Sequence, residues 1–215
     1  MKPISKYKVF LIVIAIIVVT IMSYLIIQNQ NEEKNKISDI SISENELDIV
    51  FGQESAELTI FLFSSYNCSF CRKFFTEVYP LLKQDYIDRG KVKLVLKPVE
   101  LSSDESILNS LKVAVCVNEY GNFGKLHELL ITEPTVVYTP EFKTVINEFI
   151  EKDIFVAECM LGGKSENYIS NNLNIFVELN LKGTPTFIIH NTIYKGYKDY
   201  GRFKKIVEKE LNNTL

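Results

Sequence analysis

Two cysteines three residues apart, Cys68 and Cys71, stand where an apolar run meets a helical periodicity, and this junction constrains the chain more than any other feature. Leu58 to Phe63 is apolar except for Thr59, as a central strand buried on both faces requires. From Ser69 onward, Phe74, Phe75, Val78, Leu81, Leu82 and Tyr86 recur mostly at three- and four-residue spacing, which predicts an amphipathic helix. Pro80 should kink it and Gly90 fits its stop. Val92 to Leu96 reads as the next strand, closed by Lys97-Pro98. Strand, helix and strand in this order make a parallel, right-handed unit.

A Cys-x-x-Cys at the start of a helix is the layout of a thiol–disulfide redox site. The thiolate is the attacking species, and the unsatisfied N–H groups at a helix start favour it. Cys68 is placed to gain this; Cys71, about one turn deeper, is shielded but within reach. Cys68 would then form the mixed disulfide with a client and Cys71 would resolve it. A structural zinc site commonly needs two close ligand pairs, whereas Cys116 and Cys159 are isolated singles, so no metal is expected. His127 and His190 show no spacing that would place either beside Cys68 for hydrolase chemistry.

Residues 103–181 read as an all-helical block. Ser103 or Asp104 can cap its first helix, Thr139-Pro140-Glu141 is a second start signal, and Gly162-Gly163 a stop. A last helix, Ser165 to Leu181, carries an apolar stripe of Ile169, Leu173, Phe176 and Val177. Strands then resume as a hairpin, Thr186–Ile189 and Thr192–Tyr194 around His190-Asn191, and Tyr200–Leu211 reads as a closing helix. Gly183-Thr184-Pro185 before the hairpin is by itself only a turn. Beside a Cys-x-x-Cys it fits a cis-proline loop facing the disulfide, with Thr184 and Pro185 offering backbone to an extended client.

Residues 9–27 hold no charge, and at about 1.5 Å per residue they would span roughly 28 Å, close to a bilayer's hydrocarbon thickness. Lys2, Lys6 and Lys8 precede them, so the expected topology is a basic cytoplasmic tail (1–8), a transmembrane helix (9–27), a flexible stalk (28–46) and an exported domain. A cleaved signal leaving a soluble periplasmic protein is the alternative. Export makes four cysteines an expected source of disulfides, with three possible connectivities. Without those three lysines, 21 basic side chains face 27 acidic ones, which leaves no basic footprint for nucleic acid.

Phe63-Ser64-Ser65-Tyr66-Asn67-Cys68-Ser69-Phe70-Cys71-Arg72, Cys116 before Gly121-Asn122-Phe123, and Gly183-Thr184-Pro185-Thr186-Phe187 together resemble the DsbA-like thiol–disulfide oxidoreductases of the thioredoxin superfamily. The resemblance spans roughly residues 47–211. It implies an α/β, thioredoxin-like core (47–102 and 182–215) with an inserted helical domain (103–181). It further implies an enzyme of the cell envelope, on the periplasmic side of a bacterial inner membrane. Such an enzyme needs no cofactor, acts on exported proteins bearing cysteines, and is reoxidised by a membrane partner linked to quinone. Some relatives join helices of the insertion by a second disulfide, which implies a Cys116–Cys159 bond contributing about 2–4 kcal/mol.

Two departures from the family pattern stand out. The dipeptide between the cysteines is Ser69-Phe70, where the strongest oxidases have Pro-His, so a less oxidising pair is expected. Many relatives bury an acid in the strand before the motif, but here that strand reads Phe61-Leu62-Phe63. Proton transfer at Cys71 then needs another group, with Glu100 and Lys97 as candidates by sheet order.

Overall fold

The computed structural model describes residues 14–23, 35–36, 42–120 and 123–213, in two units, residues 1–36 and 37–215. In the first unit, residues 14–23 form helix α1 and Asn35–Lys36 a two-residue strand, β1. No helix among the described residues is long and apolar enough to cross a membrane. Of the expected transmembrane helix over 9–27, only residues 14–23 are described, and they rise about 15 Å at 1.5 Å per residue. The rest of that segment lies outside the described residues, as do the basic tail, most of the stalk, and Gly121 and Asn122 of the quoted motif.

The second unit contains β2 (Ile49–Phe51), β3 (Leu58–Ser64), β4 (Val92–Pro98), β5 (Thr186–Ile189) and β6 (Thr192–Lys195), hydrogen-bonded in the order β6-β5-β3-β4-β2. β3 and β4 are parallel and the other pairs antiparallel, so the sheet is mixed. Ser64 lies opposite Pro98, and Phe63 opposite Thr186. That register brings the end of β3, the start of β5 and the chain entering the next helix to one edge of the sheet.

That helix, α2, starts at Ser69 and runs through α-helical Ser69–Lys73, π-helical Phe74–Val78, α-helical Tyr79–Leu82 and π-helical Lys83–Ile87. The wide turns accommodate Pro80, which lacks an N–H and whose ring crowds the carbonyl of Thr76. The Tyr79 N–H reaches back to Phe74 O, and the Asp88 N–H donates to Lys83 O at 2.8 Å. The expected kink is therefore distributed over two π turns. Gly90, at φ +67°, turns the chain out of α2 into β4.

Between β4 and β5 lie α3 (Glu105–Tyr120), α4 (Phe123–Thr132), a 3₁₀ turn (Pro134–Tyr138), α5 (Pro140–Lys152), α6 (Ile154–Leu161) and α7 (Lys164–Glu178), and α8 (Tyr200–Asn212) closes the chain. Asp104 caps α3, accepting from the N–H groups of Ser106 at 2.9 Å and Ile107 at 3.2 Å. Thr139 sits at the start of α5, but its hydroxyl donates back to Val136 O and caps nothing. Phe176 of α7 is buried, while Val177, expected on the same stripe, is 65% exposed. The buried stripe is thus narrower than the apolar positions suggest. Cys116 of α3 and Cys159 of α6 are joined by a disulfide, 43 residues apart in sequence.

Side chains from the two faces of the sheet enter different cores. One core includes Leu62, Leu96, Phe74, Phe187 and Phe203 and continues into the helices that follow β4. Within it Phe74 meets Phe187 edge-on at 5.0 Å between ring centroids. The other holds Phe63, Val99, Phe176, Leu181, Ile188 and Ile193.

Lys97 alternates with Leu96 along β4 and so projects from the face opposite α2. Its Nζ donates to Asp48 Oδ2 at 2.8 Å and to Ser43 O at 2.9 Å, and both side chains are almost wholly buried. Tyr168 of α7 donates to the other carboxylate oxygen at 2.5 Å. Removing one partner would leave an uncompensated buried charge. Asp48→Ala should cost about 3–5 kcal/mol by denaturant unfolding, and Asp48→Leu combined with Lys97→Met should recover most of it.

Candidate active site

Cys68 is the N-cap residue of α2, in extended conformation at φ −82° and ψ 112°. That geometry turns its side chain back over the first helical turn, where Sγ accepts the Cys71 N–H at 3.2 Å. The Thr184–Pro185 peptide is cis and faces it, and as a thiol Cys68 donates to Thr184 O at 3.1 Å. Cys68 is partly exposed, while Cys71 is 1% exposed. Both are free thiols, so the structure shows the reduced pair.

The two thiols are driven in opposite directions. Cys68 is lowered to about 6. The Cys71 side chain as hydrogen-bond donor is the main cause, partial burial opposes it, and the Thr184 hydroxyl and the N–H groups of Cys71 and Phe70 assist. The Thr184 carbonyl favours the thiol and its hydroxyl the thiolate, so one residue contacts both protonation states. Cys71 is pushed far up, first by burial, then by its hydrogen bond to Cys68 and that neighbour's charge, against smaller help from the Ser64 hydroxyl and the Ser65 backbone. One thiol is therefore ready to attack near neutral pH while the other keeps its proton.

Around this pair, Phe70 is 57% exposed and stacks on Tyr197 at 6.3 Å, with Lys73 Nζ 4.9 Å from the Tyr197 ring centroid. On the other side the Tyr66 hydroxyl is 3.0 Å from His127 Nδ1, and Arg72 Nη1 donates to Tyr66 O at 2.8 Å. His127 is enclosed by Phe51, Phe75 and Phe123, and its Nε2 is buried without a hydrogen-bond partner. Of the two candidate proton groups, Glu100 accepts from the Ser65 hydroxyl at 3.3 Å, whereas Lys97 is engaged by Asp48 on the far face of the sheet. Among the described residues no cluster of His, Cys, Asp or Glu could hold a metal, and Cys116 and Cys159 are consumed by their disulfide.

The Thioredoxin family profile matches residues 44–209. The chain belongs to the thioredoxin family, and within it is a DsbA-like thiol–disulfide oxidoreductase. The disulfide bond formation protein D of Bacillus subtilis (strain 168) is 24% identical over 182 residues, which cover 75% of this chain and 76% of that protein. The crystal structure of Wolbachia pipientis alpha-DsbA1 superposes with a TM-score of 0.66 at 20% identity, over 80% of this chain and 95% of that one. Oxidised BdbD from Bacillus subtilis superposes with a TM-score of 0.64 at 19% identity, over 78% and 94%. These likenesses identify the mixed sheet and its helices as a thioredoxin-like α/β fold.

The Tyr66–His127 contact and the Phe70–Tyr197 stack escape sequence reasoning. Each joins residues far apart in the chain, and neither His127 nor Tyr197 sits in a motif that announces it.

Alkylation of the oxidoreductase should follow a single titration with midpoint near pH 6 at Cys68, rising in Thr184→Val as the hydroxyl donor is lost, with Cys71 unreactive until the chain unfolds. Burial lowers His127 to about 4 from its ordinary value near 6.5. The unfolded chain therefore binds the proton first as pH falls. Stability should be full above about pH 6.5, decline by about 3 kcal/mol toward pH 4, and level off below it. His127→Phe should flatten that part of a pH series of unfolding curves.

Proposed function

We propose that the chain donates a disulfide to client proteins through Cys68 and Cys71. The observation that carries this is the asymmetry of the pair: a partly exposed thiol lowered to about 6 at the start of a helix, one turn from a buried thiol driven the other way. In the oxidised enzyme a client thiolate attacks Cys68, and Cys71 leaves and takes up a proton. A second client thiolate then attacks the mixed disulfide and releases Cys68 as its thiolate, now carrying the reduced form. Two electrons pass from two client thiols to the Cys68–Cys71 pair.

Thr184 and cis-Pro185 would present backbone to the client as an added strand. The apolar 9–27 segment behind three lysines supports export, so the clients would be exported proteins bearing cysteines. Reoxidation by a membrane partner that delivers electrons to quinone completes the cycle in this reading. The Cys116–Cys159 bond would be structural. By the same reading residues 47–102 and 182–215 are the catalytic core and 103–181 its inserted helical domain.

Trapping tests the reading directly. Cys71→Ser should accumulate mixed disulfides with clients and Cys68→Ser should form none; equal capture by both would make the chain a binding tether. The direction follows from the reduction potential. A value toward about −120 mV marks a disulfide donor, and one near about −270 mV a reductase. The Ser69-Phe70 dipeptide brings no cationic ring to the thiolate, so the expected value lies between these limits.

A further inference from the structure

Cys71 must release a proton each time the pair closes and recover one each time it opens, yet it is buried, and the strand before the motif, Phe61-Leu62-Phe63, carries no acid. Two hydroxyl side chains, Ser64 and Ser65, follow that segment directly. The Ser64 side chain, at the end of β3, acts to lower the Cys71 thiol against the burial that raises it. Its neighbour Ser65 is also buried, and its hydroxyl donates to Glu100 Oε2 at 3.3 Å. Both serines line one cavity of about 10 Å³, about the room that a single water needs.

Glu100 stands at the outer end of this chain of groups. It is held there by its other oxygen, which accepts from the Ser102 N–H at 2.7 Å and the Ser102 hydroxyl at 2.6 Å. It also lines an open cavity of about 450 Å³ together with Ser102, Asp104, Glu105 and Glu166. One carboxylate thus faces a buried serine on one side and open solvent on the other.

We propose that Glu100, acting through Ser65 and Ser64, exchanges the Cys71 proton with solvent. The inference rests on the redox role of the Cys68–Cys71 pair. When the pair closes, the Cys71 proton passes to Ser64 as that hydroxyl's own proton moves outward through Ser65 to the Glu100 carboxylate. The Cys71 thiolate attacks Cys68 Sγ, a Cys68–Cys71 bond forms, and the bond from Cys68 to the client sulfur breaks with release of the client thiolate. Opening runs the same transfers in reverse. Ser64 touches the reacting thiol; Glu100 works through the serines and is a positioning residue for the proton. The ionisable groups facing it are Asp104, whose carboxylate accepts from the Tyr138 hydroxyl at 2.9 Å, Glu105, and Glu166, which pairs with Lys112 at 3.0 Å.

The test separates the two thiol steps in the full-length chain. Reduced protein mixed with oxidised glutathione first forms a glutathione adduct at Cys68 and releases one glutathione; Cys71 then displaces the second. Cys71→Ser isolates the first step. Glu100→Gln keeps an oxygen for Ser102 while removing the proton carrier, and Ser65→Ala removes the link. Each should slow the second step at pH 7 by about tenfold, below the roughly 10²–10⁴ of a directly acting acid or base, because Glu100 acts at a distance. Each should also remove the carboxylate-dependent limb of that step's pH profile while leaving the first step and its pH dependence unchanged. The double variant should be no slower than either single one.

A second step with the wild-type pH profile in both variants would overturn the relay. So would effects that multiply in the double variant. Absence of any adduct at Cys68 in Cys71→Ser would instead overturn the redox reading beneath it.

Discussion

Lys97 carries an ammonium into the face of the sheet opposite the active site, and four groups from three parts of the chain converge to answer it. Asp48 supplies the counter-charge, the Ser43 carbonyl a second acceptor, Tyr168 of α7 a proton donor for the far carboxylate oxygen, and Phe61 a ring 5.6 Å away. The pair is expensive to desolvate and gains little over an apolar substitute of the same shape. What it fixes is arrangement. It ties the segment leading into β2 to β4, and α7 to both, so the parallel neighbour of β3 is held in register from the outside. The end of β3 feeds the active-site turn directly, and any slip of β4 would be felt there.

The chemistry at that turn depends on one helical turn's difference in depth. Cys68 and Cys71 share a helix start, hydrogen-bond each other, and have the same side chain. Cys68 stops at the rim, where amide N–H groups and the Thr184 hydroxyl reach its sulfur. Cys71 lies underneath, buried at 1% exposure, with Ser64 among the groups that act on it. Burial drives Cys71 up and the hydrogen bond from Cys71 drives Cys68 down, so only the outer sulfur is open to attack. Tyr66, two residues upstream, is clamped between Arg72 and His127, so α4 helps to position the turn although it contributes nothing to the reacting atoms.

Much of this is legible in the residues themselves, and the exceptions have physical reasons. The strand before Cys68, the helix after it, the hairpin and the closing helix follow from short-range periodicity, because each depends on which face of a local element is apolar. The cis peptide before Pro185 is readable only beside the cysteine motif, since Gly-Thr-Pro alone specifies a turn. Lys97 reads from sheet order as a neighbour of Cys71, but alternation along β4 sends it to the opposite face, where its partner lies 49 residues earlier. His127 offers no sequence signal at all, because its aromatic enclosure is assembled from β2, α2 and α4.

The helical block between β4 and β5 carries its own disulfide, with Cys116 fully buried and Cys159 only 7% exposed. Exchange requires a thiolate to reach a sulfur in line with the bond, and these sulfurs offer no approach. The chain therefore holds two cysteine couples, one partly open at the start of α2 and one set during folding and then sealed. In the proposed reading, an enzyme that hands out disulfides has first, in its own maturation, been the recipient of one.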